Sequence, residues 1–102
     1  MKLEYKEVYF DDLDDIAEYI ASFFSESLAH DIVQEIHIGC KKLGGQPYLG
    51  RVYTRNPYFR VYNVLRKNLV FYHVDELAQV VTLHRVFDTR RDYSDAVDSI
   101  SD

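Results

Sequence analysis

The apolar positions of the chain change period along its length, and the changes mark its elements. Leu3, Tyr5 and Val8 sit among charged residues in partial alternation, which predicts an opening strand. Leu13, Ile16, Ala17, Ile20 and Phe24 then recur at helical spacing. They predict an amphipathic helix capped by Asp11 or Asp12, with acids in its first turn where the helix dipole favours them. Ser25-Glu26-Ser27 breaks the pattern and offers a second N-cap. Beyond it Leu28, Ile32, Val33, Ile36, Cys40 and Leu43 form another apolar stripe that ends at Gly44-Gly45. Two helices with so short a joint predict a helical hairpin.

From Gly45 to Pro57 the periodicity dissolves into a long connection. Afterwards the chain runs in β-branched and aromatic stretches, Tyr58 to Leu65, Leu69 to Val74 and Gln79 to Phe87, separated only by Arg66-Lys67-Asn68 and Asp75-Glu76. Joints this short connect antiparallel neighbours, so the three segments predict a meander, which the opening strand extends. The order is β-α-α-β-β-β. A sheet needs its apolar face covered, and the hairpin is the available cover, so the predicted fold is α+β, two-layer, with the hairpin packed on a mainly antiparallel sheet. The tail from Arg90 predicts no more than a short helical turn.

Composition narrows the classes. The chain has 102 residues, 47 % of them apolar and fifteen aromatic (nine Tyr, six Phe), enough for one core and too few for two, so a single domain over 1–102 is expected and disorder is excluded. Charges occupy the first residues where a signal peptide would be apolar, and no run approaches a membrane span, so the expectation is a cytoplasmic protein without membrane contact. A single cysteine, Cys40, excludes an internal disulfide and four-cysteine zinc sites; its place on an apolar stripe marks it as a small buried hydrophobe. His30 and His37 share a helix face but lie about 10.5 Å apart along the axis, too far to hold one ion together. No glycine-rich phosphate loop opens a helix. Neither metal nor cofactor is expected.

Net charge conceals a polarity. The total is −5, yet residues 1–35 carry ten acids against two bases, whereas residues 36–91 carry ten bases against three acids. Arg60, Arg66, Lys67, Arg85, Arg90 and Arg91, with Tyr93, are therefore the candidate binding residues, expected to form an electropositive, tyrosine-bearing surface for phosphate or acidic peptide. The competing reading is an intramolecular network in which a carboxylate such as Asp92 neutralises a neighbouring arginine.

Three segments carry a resemblance: Asp12-Leu13-Asp14-Asp15-Ile16-Ala17-Glu18-Tyr19-Ile20, Asn68-Leu69-Val70-Phe71-Tyr72-His73-Val74-Asp75 and Arg85-Val86-Phe87-Asp88-Thr89-Arg90-Arg91-Asp92. In this order and spacing they resemble the RelE/ParE toxin superfamily of bacterial type II toxin-antitoxin systems, closer to its ParE-like members. The resemblance implies a growth-arresting toxin of the plasmid-stabilisation type. A cognate antitoxin would neutralise it by wrapping its sheet and helices, and operator DNA would be bound only through that complex. RelE-like members cleave messenger RNA on the ribosome with basic side chains and a tyrosine, for which Arg60, Arg90 and Tyr93 are the matching positions here. Leu69, however, stands where those nucleases carry a central-strand arginine. ParE-like members poison DNA gyrase and carry a strand of the Leu69-Val70-Phe71-Tyr72 type, although Asp88 departs from the His they often have. The implied function is thus gyrase inhibition without catalysis, with ribosome-dependent cleavage and a non-toxic interaction domain as alternatives.

Overall fold

The computed structural model describes residues 1–89 and 94–100, with side chains for 1–89 and 96–100. Strand β1 (Lys2–Tyr5) leads into two long helices, α1 (Glu7–Phe23) and α2 (Glu26–Gly45). β2 (Arg51–Val52), β3 (Arg60–Val64), β4 (Asn68–Asp75) and β5 (Val80–Asp88) follow, and α3 (Ser94–Asp98) closes the described order. The strands form one sheet in the order β1-β5-β4-β3-β2. β1 runs parallel to β5, and the other pairs are antiparallel. The α+β architecture expected of the hydrophobic pattern is the one observed, with the hairpin against a mostly antiparallel sheet.

Two boundaries differ from expectation for a physical reason. The Lys6 amide still donates to Leu83 O at 2.9 Å, so the chain leaves the sheet and enters α1 without an intervening loop. Helix α1 therefore starts at Glu7 on an extended Lys6 that lends no side-chain cap; Val8 belongs to the helix, and Asp11 and Asp12 lie inside it rather than capping it. The second helix begins as expected, with Ser25 Oγ accepting from the Leu28 amide at 3.0 Å. In the long connection, Arg51 and Val52 add the short edge strand β2 that no periodicity announced.

Burial explains the unbroken apolar run of β4. Asn68 to Tyr72 are all buried, although consecutive strand residues point to opposite faces. Val70 and Tyr72 pack with Leu13, Ile36, Cys40 and Leu43 of the hairpin and with Val81 and Leu83 of β5. Leu69 and Phe71 join Phe59, Val61, Phe87 and Val97 in a second cluster on the reverse face. Each such side chain contributes about 1.5–3 kcal/mol when fully buried, so both faces of the sheet need a cover. The second cover is α3 with the segment before β3, where Arg55 Nη2 donates to Asp98 Oδ2 at 3.1 Å. Gly39 permits the close approach on the hairpin side: a Cβ there would stand 2.8 Å from Val64 Cγ1.

Candidate binding groove and the Arg60 cleft

Beyond the Tyr5↔Leu83 pair, β1 no longer accompanies β5, and the β5 amides on that side need another acceptor. Asp12, one and a half turns into α1 and only 5 % exposed, supplies it. Its Oδ2 accepts from the Val86 amide at 2.9 Å and from Arg85 Nε at 2.8 Å, while Oδ1 accepts from Arg85 Nη2 at 2.9 Å. The Arg85 guanidinium also lies over the Phe87 ring, 4.6 Å from its centroid. This bidentate, charge-assisted pair fastens helix to strand and leaves Arg85 committed within the fold.

Next to this fastening lies an apolar groove of about 840 Å³ between the hairpin and the β3–β4 end of the sheet. Ile16, Tyr19 and Ile20 of α1, Phe24 at the joint, Leu28 and Ile32 of α2, and Leu65 and Val86 from the sheet line it. Tyr19 is 54 % exposed and Phe24 70 %, a concentration of large apolar surface that singly scattered residues do not produce. Asp15 and Glu35 stand on the helical side, and Lys67 and Asp88 on the sheet side. The turn that presents Leu65 is strained: Leu65 and Arg66 take φ of 55° and 65°, the left-handed region that side chains larger than glycine or asparagine avoid.

Arg60 marks a different place, at the start of β3. Its Nη1 donates to Gly50 O at 2.7 Å, and its guanidinium lies 4.8 Å from the centroid of the Tyr48 ring. The Tyr48 hydroxyl donates to the Glu76 carboxylate, a bond that raises the Tyr48 pKa, with desolvation adding to it. The segment carrying Tyr48 and Gly50 is pinned by Tyr72, whose hydroxyl donates to Pro47 O at 2.8 Å and accepts the Gly50 amide at 2.9 Å. Burial raises the Tyr72 pKa. His73 Nδ1 donates to Tyr58 O at 2.8 Å and its ring stacks on that of Tyr58 at 3.7 Å. Tyr48, Tyr58, Arg60 and His73, with Asp75, Glu76 and Leu77, surround a shallow cleft of about 550 Å³.

The expected cationic residues thus occupy three places. Arg60 lies in the cleft, Arg66 and Lys67 on the exposed β3–β4 turn roughly 15–20 Å further along the chain, and Arg85 in its pair with Asp12. Arg90, Arg91 and Tyr93 lie outside the described residues, as does Asp92. The groove escaped the hydrophobic pattern because Phe24 and Leu28 read as core positions. Element lengths gave no signal either: the 20-residue α2 and the nine-residue β5 both run about 30 Å.

Comparison with known proteins adds independent findings. The family model for the ParE toxin of type II toxin-antitoxin system, parDE, matches residues 3–93. Among solved structures, the chain is similar to one from the chromosomal ParDE TA system from P. aeruginosa, with a TM-score of 0.76 and 21 % identity, covering 86 % of this chain and 95 % of that one. It is also similar to the isolated E. coli RelE toxin, with a TM-score of 0.56, 14 % identity and 98 % of each chain covered. At these identities the two structures speak for the fold. No curated protein matches the chain.

Proposed function

The chain belongs to the ParE toxin family of type II toxin-antitoxin systems, and from that premise we propose that it arrests growth by binding DNA gyrase and is silenced by a cognate antitoxin seated in the apolar groove. The exposed Tyr19, Phe24, Leu28 and Leu65 supply the apolar contact such a partner needs. Operator DNA is then met through the antitoxin complex, because a chain of net charge −5 attracts phosphates poorly by itself. The protein acts in the cytoplasm, where gyrase works; no helix among the described residues is long and apolar enough to cross a membrane.

The observation that carries binding over cleavage is the dispersal of the described cations. Cleavage of RNA requires a group that activates the 2′-hydroxyl and charges that converge on one phosphate. Here Leu69 is buried in the reverse-face cluster, Arg85 is neutralised by Asp12, and Arg60 shares its cleft with Glu76. The test is supercoiling by purified gyrase beside a ribosome-programmed messenger. The expected result is lost supercoiling with the messenger intact. Codon-associated cuts with normal supercoiling transfer the function to the RelE-like reaction, with Arg60, Arg90 and Tyr93 as its groups. Unimpaired growth on induction leaves an interaction domain.

A further inference from the structure

We propose that residues 46–50 form a strap over the Tyr72 hydroxyl, latched by the bond between Tyr48 and Glu76, and that its opening in one piece releases Arg60. The segment joins α2 to β2 and is held differently from either. None of residues 46–50 joins a core cluster of the described residues, and Gln46, Tyr48 and Leu49 are exposed. Its ties across to the sheet are polar instead. The Tyr72 hydroxyl donates to Pro47 O and accepts the Gly50 amide, Arg60 Nη1 donates to Gly50 O, and the Tyr48 hydroxyl donates to the Glu76 carboxylate. A segment held by a few hydrogen bonds, with no apolar side chain in the core, opens at far lower cost than the strands beneath it.

Arg60 is what the strap withholds. It forms no ion pair among the described residues; its half-buried guanidinium is engaged by Gly50 O and by the face of the Tyr48 ring. Both partners belong to the strap, so they leave together when it opens. Arg60 is then left with unspent N–H donors in the cleft that it lines. The latch is the accessible tie. Tyr48 and Glu76 are exposed and lie 28 residues apart, one on the strap and one on the β4–β5 turn, whereas the Gly50 amide is buried against Tyr72. Cutting the latch therefore reaches the Gly50 amide only if the strap moves in one piece.

Two readouts on the full chain report strap and arginine separately: hydrogen exchange at the Gly50 amide, followed by NMR, and the rate at which phenylglyoxal labels Arg60, followed by peptide mass spectrometry. Tyr48→Phe keeps the ring over Arg60 and removes the hydroxyl, and Glu76→Ala removes the acceptor. Each variant is expected to speed both readouts by roughly fivefold, the worth of one ordinary hydrogen bond. Because both cut the same bond, the double variant is expected to match either single one. In every form the Val70 and Phe71 amides, in the buried core of β4, are expected to exchange about a hundredfold more slowly than Gly50, which separates strap opening from loss of the fold. Unchanged Gly50 exchange in the variants, Arg60 labelling that does not follow it, or a double variant whose effect is the product of the single ones overturns the inference. So does Gly50 exchange that coincides with that of Val70, or Arg60 labelling in the unaltered chain as fast as that of the exposed Arg66.

Discussion

Asp12 gathers three donors around one buried carboxylate, and its removal strands all of them. Asp12→Ala leaves the Arg85 guanidinium without its counter-charge and the Val86 amide without an acceptor. The expected loss is about 3–5 kcal/mol, measured by denaturant unfolding. Replacing Asp12 and Arg85 together by leucine should recover much of that loss, because no uncompensated charge then remains inside. The run Asp11-Asp12-Leu13-Asp14-Asp15 resembles a helix start in every local respect, and the partner that gives Asp12 its role lies 73 residues away, where no sequence window reaches. Leu65 and Arg66 give a prediction of opposite sign. Both occupy the left-handed region that an Asn-Gly turn adopts freely, so Leu65→Asn with Arg66→Gly should stabilise the free protein by about 1 kcal/mol and raise its melting temperature. Leu65 also lines the groove, and the same substitution removes one of its apolar lining side chains.

Both helices and the three meander strands were legible because periods of 3.6 and 2 survive in one dimension. The segment before β3 was not, since what orders it is tertiary. Tyr72 lies 22 residues beyond Gly50 and holds it with a hydroxyl that reads in sequence as another strand aromatic. Tyr72→Phe should release residues 46–50, seen as faster amide exchange there, at a cost of about 1–3 kcal/mol for the unsatisfied Gly50 amide. Gly50→Ala is the sharper perturbation: its Cβ would lie 2.6 Å from Val61 O, so backbone has to move. The α1–α2 contact carries a pH dependence of its own. His37 packs with Tyr5, Tyr9 and Phe10, and burial, then Lys41, lowers its pKa below the ordinary value near 6.5. The unfolded chain therefore takes up a proton more readily than the folded one. Stability from this site is complete above the unfolded pKa and declines as pH falls through the lower folded pKa. Thermal melts from about pH 7.5 down to 5 should show a decline that His37→Gln flattens. Cys40, beneath the same cluster, has its thiol pKa pushed up to about 11 by burial, with its bond to Tyr9 pulling the other way; it stays an inert thiol as its apolar stripe suggested.

Across the molecule, the polarity read from the chain has a three-dimensional counterpart on one side only. Nine of the ten acids of residues 1–35 lie on α1 and α2, Glu4 being on β1, and apart from the buried Asp12 they make the hairpin an acidic surface, because a helix keeps neighbouring residues together. The candidate cations Arg60, Arg66, Lys67 and Arg85 become no comparable patch. Strands carry residues apart at about 3.3 Å each, and tertiary pairing withdraws Arg85 altogether, neither of which a count of bases can register. This arrangement sets the response of the free protein to nucleic acid. Non-specific DNA binding scales with the number of phosphates neutralised, so it needs several cations on one face and a field that does not repel the duplex. Here Arg60 stands beside Glu76, Lys67 stands across a groove from Asp15 and Glu35, and the net charge is −5. At about 0.15 M salt the isolated chain should leave the anisotropy of a labelled duplex unchanged at micromolar concentration. A complex with an antitoxin that supplies its own DNA-binding region should raise it. Tight, salt-sensitive binding by the chain alone would instead point to a phosphate-binding face that draws on cations beyond Thr89, and would put the alternative RNA-directed reading ahead of the gyrase reading.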